Sequence, residues 1–105
     1  MEVNGREVRF WFSVGAKYEI GSLDKSLDDF MRTVKTAVIM SKAYAQAQKY
    51  KGEKAERPLE EAEVMAMSDD QFAKLCEKIA AAFKEGNVVT VEAEEGKKKE
   101  DEASS

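Results

Sequence analysis

The sequence predicts a small α+β protein, mostly helical, in which an N-terminal β-hairpin packs against two main amphipathic helices and short helical turns, followed by a disordered C-terminal tail. Three observations carry that expectation. Asn4-Gly5 separates two short stretches of strand-forming residues, two long segments repeat apolar residues at three-and-four spacing, and residues 92–105 hold nothing apolar beyond two alanines. Residues 1–91 therefore read as one α+β domain and 92–105 as a charged tail.

Asn and Gly tolerate the positive φ that both central residues of a type I′ turn require, so Met1 to Val3 is expected to turn back into a strand from Arg6 to Ser13. Along that second strand Val8, Phe10, Phe12 and Val14 fall on one face, which is the expected core face. Glu7, Arg9, Trp11 and Ser13 fall on the other. Trp11 is the exception on the polar face. It either lies under a helix or the tail, or offers a partner an aromatic anchor, and the covered position is the preferred reading. Gly15 to Ile20 fits both a continued strand and a short helical turn, and Gly21-Ser22 ends it in either case.

Ser26 and Asp29 fit a capping box loosely, and Asp28 and Asp29 suit the positive end of a helix dipole. The helix they open is expected to run to about Tyr50 on a stripe of Leu27, Phe30, Met31, Val34, Ala37, Val38 and Ser41, continued by Tyr44 and Ala45. Beyond Ser41 the stripe weakens to Tyr, Ala and Gln. That half either projects from the domain or packs on another subunit, or it is a frayed amphipathic end. Lys51 to Pro58 has no large apolar side chain and reads as a solvated loop. After Pro58, acids in the first turn mark a short helix at 59–67. Ser68 and Gln71 form a better capping box, opening a helix with Phe72, Leu75, Cys76, Ile79, Ala80 and Phe83 on one stripe and a left-handed stop at Gly86-Asn87. Val88 to Val91 offers a third short strand beside the hairpin, which would stabilise it.

Counting excludes much of catalytic chemistry. The chain has 105 residues, 17 Lys and Arg against 21 Asp and Glu, no His and one Cys. Without His it lacks the commonest proton shuttle and metal ligand, and one Cys builds neither a disulfide nor a Cys-rich zinc site. Cys76 sits in an apolar stripe without a base beside it, so it reads as a buried small hydrophobe. The clusters Asp28-Asp29, Glu60-Glu61-Glu63 and Asp69-Asp70 each occupy a predicted first helical turn, where the dipole accounts for them, and none has the oxygen spacing of a calcium loop. The six glycines are scattered, so no phosphate-cradling loop is present. No enzyme activity, cofactor or metal site is expected.

The tail carries −3 of the net −4, since it has six acids and three lysines, and the body is near neutral with 14 basic and 15 acidic residues. That balance argues against a nucleic-acid binder. Lys97 to Lys99 are flanked by acids that screen them. The longest apolar run, Ile79 to Phe83, is too short to span a membrane, and the first residues do not form a secretion signal. A soluble intracellular protein is expected.

The order of parts resembles the tail assembly chaperones of long-tailed bacteriophages and prophages, particularly those of Gram-positive hosts. The resemblance covers nearly the whole chain. It rests on Val3-Asn4-Gly5-Arg6-Glu7 leading into Phe10-Trp11-Phe12-Ser13-Val14-Gly15-Ala16-Lys17-Tyr18-Glu19, then on Pro58 to Ser68 leading into the Phe72 helix, and on the charged Val91-Glu92-Ala93-Glu94-Glu95 ending. Gly21-Ser22 departs from the pattern, because relatives often continue a helix there.

The resemblance implies a non-enzymatic role in the host cell cytoplasm: binding the long, helical tape measure protein, keeping its apolar stretches soluble and helping to recruit tail tube subunits. Such proteins are normally absent from the mature virion. It also implies a frameshifted longer form whose added domain contacts the tube protein. Glu95, Gly96, Lys97 and Lys98 can be encoded by slippery heptamers at a point where an added domain disturbs no core, while an ordinary solubilising tail is the alternative. Trp11, Tyr44 and Tyr50 are the candidate partner-binding residues under this reading, with weak self-association a further expectation. A generic structural or regulatory protein-interaction domain is the alternative function.

Overall fold

The computed structural model describes the backbone of residues 1–95 and the side chains of residues 1–85. The element order is β1 (Glu2–Val3), β2 (Arg6–Glu7), α1 (Val14–Gly21), α2 (Asp29–Tyr50), α3 (Glu61–Met65) and α4 (Asp69–Glu95). The fold is α+β and mostly helical, with the hairpin at its N-terminus.

Asn4 and Gly5 take φ of 51° and 80°, the left-handed values that the I′ turn demands. β1 and β2 pair antiparallel with Glu2 opposite Glu7 and Val3 opposite Arg6. The facing carboxylates repel, and the Met1 ammonium offsets this by donating to Glu7 Oε2 at 2.9 Å. The second strand is shorter than the alternation suggests. Its ladder closes with Val8 N–H donating to the Met1 carbonyl, after which the chain turns its hydrogen bonding to α2, Trp11 N–H donating to Met40 O at 3.1 Å. Val8 is buried, and Phe10 and Phe12 pack on the core. Val14 is 84 % exposed, against expectation. Ser13 accepts a hydrogen bond from Ala16 N–H and opens α1, so the two-residue period ends there and Val14 falls on the outer face of a helix.

Segment 15–20 is thus helical, and α1 stops at Gly21. Asp28, rather than Ser26, caps α2 by accepting from Met31 N–H at 2.8 Å. Val34, Ala37 and Met40 are fully buried on α2. The second half of α2 does not project, because Ser41, Ala43, Ala45 and Gln48 are buried too. Ser41 and Gln48 are held by the segment expected to be a solvated loop. Leu59 N–H donates to Ser41 Oγ at 2.9 Å and Glu56 N–H donates to Gln48 Oε1 at 2.8 Å, so residues 53–59 run back along α2 and bring Leu59 into the core.

α4 opens on the expected reciprocal box, Ser68 N–H donating to Gln71 Oε1 and Gln71 N–H to Ser68 Oγ. Its buried line is Leu75, Ile79 and Ala82, with Phe72 and Phe83 half-buried beside it. Cys76 and Ala80 are exposed, so Cys76 is not the buried hydrophobe expected of it. Two other expectations fail here. α4 continues through Gly86-Asn87 to Glu95, and 88–91 is helical, not a third strand. A two-residue ladder offers no edge long enough to recruit one. The proposed boundary at 91 therefore falls inside α4, and residues 96–105 of the expected tail lie outside the described residues.

One polar cluster ties the hairpin to the helices. Arg6 donates through both Nη atoms to the Glu63 carboxylate, with Nη2 to Oε1 at 2.7 Å, and Nη2 also donates to Pro58 O at 3.0 Å. Asn4 Nδ2 and the Glu60 N–H donate to Glu63 as well. The Arg6 hydrogen bonds hold the Glu63 carboxyl far below the usual range, at about 2.

Candidate partner-binding surface

The extended segment 8–13 alternates, so its outward residues, Arg9 and Trp11, lie on one side while Val8, Phe10 and Phe12 face the core. Docking against α2 places these outward residues beside the helix's C-terminal half. The Arg9 guanidinium stands 5.8 Å from the Tyr44 ring centroid and 3.0 Å from Glu56, and the Lys51 ammonium stands 5.9 Å from the Trp11 ring centroid. The result is a strip in which two aromatic rings are each partnered by a cation, an arrangement that is favourable at an exposed site. Trp11 is 41 % exposed. The described residues thus cover it in part, through its contact with the end of α2, and most of the tail that could cover the rest lies outside the described residues.

The three candidate residues do not form one site. Tyr44 is half-buried on the core-facing side of α2, where Arg9 covers it. Tyr50 is 93 % exposed. Six residues separate the two, which places them about 120° apart around the helix. Tyr50 therefore belongs to the solvent face, where Gln46, Lys49 and Tyr50 line a shallow depression. Of the candidate slip position, Glu95 ends α4, and Gly96, Lys97 and Lys98 lie outside the described residues.

Further exposed apolar side chains escaped the sequence reading. Val14 and Tyr18 stand one turn apart on the outer face of α1, both exposed. Phe30 is 45 % exposed and meets Phe72 at 5.3 Å between ring centroids, at the start of both α2 and α4. The Val14 and Tyr18 pair is visible only once 14–21 is read as a helix. Phe30 stands on the core-facing side of α2 by periodicity, and it remains open because it lies in the first turn, at the margin of what α4 covers.

Among the described residues, no group of three or more His, Cys, Asp or Glu side chains could hold a metal ion. No described helix is long and apolar enough to cross a membrane. No protein-family model, curated protein or solved structure matches this chain.

Proposed function

We propose that the protein is a tail assembly chaperone of a long-tailed phage or prophage, acting in the host cytoplasm on the tape measure protein and helping to bring tail tube subunits to it. The observation that carries this reading is the dispersal of exposed aromatic side chains, with Trp11, Tyr18, Phe30 and Tyr50 standing on different elements and not around one cavity. A surface of that kind suits shallow contacts with the successive helices of a long partner, in a helix-on-helix or helix-in-groove mode. The resemblance of residues 3–19, 58–68 and 91–95 supplies the identity of that partner. A longer form, produced by a frameshift near Glu95 to Lys98, would carry the contact to the tube protein.

The test is co-expression with the product of a very long neighbouring coding sequence, preceded by a frame that overlaps the end of this one. The chaperone reading expects the long protein to become soluble and to co-purify. Unchanged solubility without co-purification would remove it. Trp11→Ala is expected to reduce the amount retained, and full retention would exclude Trp11 as an anchor while leaving the function intact.

A further inference from the structure

The solvent face of α2 carries a charge asymmetry that the rest of the body does not share. From Phe30 to Gly52 the chain holds Arg32, Lys35, Lys42, Lys49 and Lys51 and not one acid, although the domain as a whole is near neutral. Lys35, Lys42 and Lys49 are seven residues apart, so they stand along one ridge at steps of about 10.5 Å. Lys42 and Lys49 are exposed, and neither ammonium has an ion pair or hydrogen bond among the described residues. Lys35 alone is partnered, by Glu61 at 3.0 Å.

A merely solvated helix face usually mixes both signs, because acids and bases three or four residues apart support each other. This face mixes cations with apolar side chains instead. Val38 and Ile39 are half-buried beside the ridge, Ile39 packing on the core with its remaining surface open, and Tyr50 stands almost fully open next to Lys49. The regular charge spacing and the interleaved apolar side chains match the back of another helix.

We propose that this face docks an acidic amphipathic helix of another protein, whose carboxylates recur every seven residues against Lys35, Lys42 and Lys49 and whose apolar side chains pack on Ile39 and Tyr50. Charge complementarity sets register and orientation in such a pairing, and the apolar contacts retain the partner. The assignment concerns the chemistry of the partner and holds whether or not that partner is a tape measure protein.

The probe is a labelled helical peptide of about 21 residues with Glu at three positions seven apart and Leu beside them, titrated with the full chain by fluorescence anisotropy. Its control carries Lys in place of each Glu. The acidic peptide is expected to bind and the basic one to fail. Lys42→Glu combined with Lys49→Glu should weaken the acidic peptide by about tenfold or more and admit the basic one. Lys49→Gln should give an intermediate loss. Both substituted positions are exposed, so circular dichroism should match that of the unaltered chain. Equal binding of the two peptides, or indifference to the double substitution, would overturn the proposal. So would displacement of the peptide by a short DNA duplex at equal charge concentration, which would mark a general polyanion surface. Sedimentation showing self-association of the chain alone that disappears with the double substitution would assign the face to a second copy and overturn it equally.

Discussion

Arg6 is the residue on which the hairpin's attachment depends. Its guanidinium reaches the Glu63 carboxylate and the Pro58 carbonyl together, so one side chain binds β2 to α3 and to the segment before it. Both partners are largely shielded, with side-chain exposures of 18 % and 12 %, and removing either leaves the other charge poorly solvated. Glu63→Gln or Arg6→Ala is expected to cost about 2 kcal/mol, seen as a fall in Tm of about 10 °C for a domain of this size. The pH dependence has a definite sign. Glu63 titrates near 2 in the folded chain against an ordinary 4.5, so its stabilisation is present above about pH 4.5 and is lost as pH falls towards 2. Thermal melts between these values should show a slope that Glu63→Gln reduces. Neither partner announces this pair in the sequence, because 57 positions separate Arg6 from Glu63 and both sit in ordinary polar contexts. Cys76 misled for a related reason. Its spacing from Phe72 and Ile79 is that of a stripe residue, but the buried line of α4 is narrow and passes on the Leu75 side.

At the scale of elements, local chemistry was legible and the partners of the elements were not. The Asn4-Gly5 turn and the Ser68 and Gln71 box are each set within a few residues and form as read, and the α2 stripe holds at Val34, Ala37, Ser41 and Ala45. The covering of the second half of α2 was missed because nothing apolar between Lys51 and Pro58 advertises it. Backbone amides make the attachment, to the Ser41 hydroxyl and the Gln48 side-chain carbonyl. Ser41 is the decisive contact. It is 3 % exposed, and its hydroxyl accepts from the buried Leu59 amide. Ser41→Ala is expected to leave that amide unpaired and to cost about 1–3 kcal/mol, whereas Lys42→Ala beside it should change little. Chemical denaturation of the two variants separates them. Hydrogen exchange should also show the Leu59 amide opening faster in Ser41→Ala. Equal midpoints for the two variants would mean that segment 53–59 is held by other contacts.

The whole molecule presents its apolar side chains on several faces at once. Trp11 stands beside Lys51, Val14 and Tyr18 on α1, the Phe30–Phe72 pair at the start of α2 and α4, and Tyr50 on the outer face of α2. Which of these would remain open depends on how the elements dock, which is why a sequence reading could name Trp11, Tyr44 and Tyr50 without placing Tyr50 on a different side from the other two. Shallow sites of this kind bury too little surface for a tight one-to-one complex, because association must first overcome the loss of rotational and translational freedom. Under the chaperone reading, affinity must then grow with the number of copies bound along one partner, neighbouring copies supporting each other through the shared chain. The prediction concerns length. Fragments of the tape measure protein offering one, two and four copies' worth of helix should bind progressively more tightly, by about a hundredfold or more from the first to the second if neighbouring copies contact each other, and Trp11→Ala should weaken the longer fragments by more than the shortest. Calorimetric titration against the fragment series measures both. If the shortest fragment binds as tightly as the longest, a single site carries the recognition and the distributed aromatic side chains are not its basis.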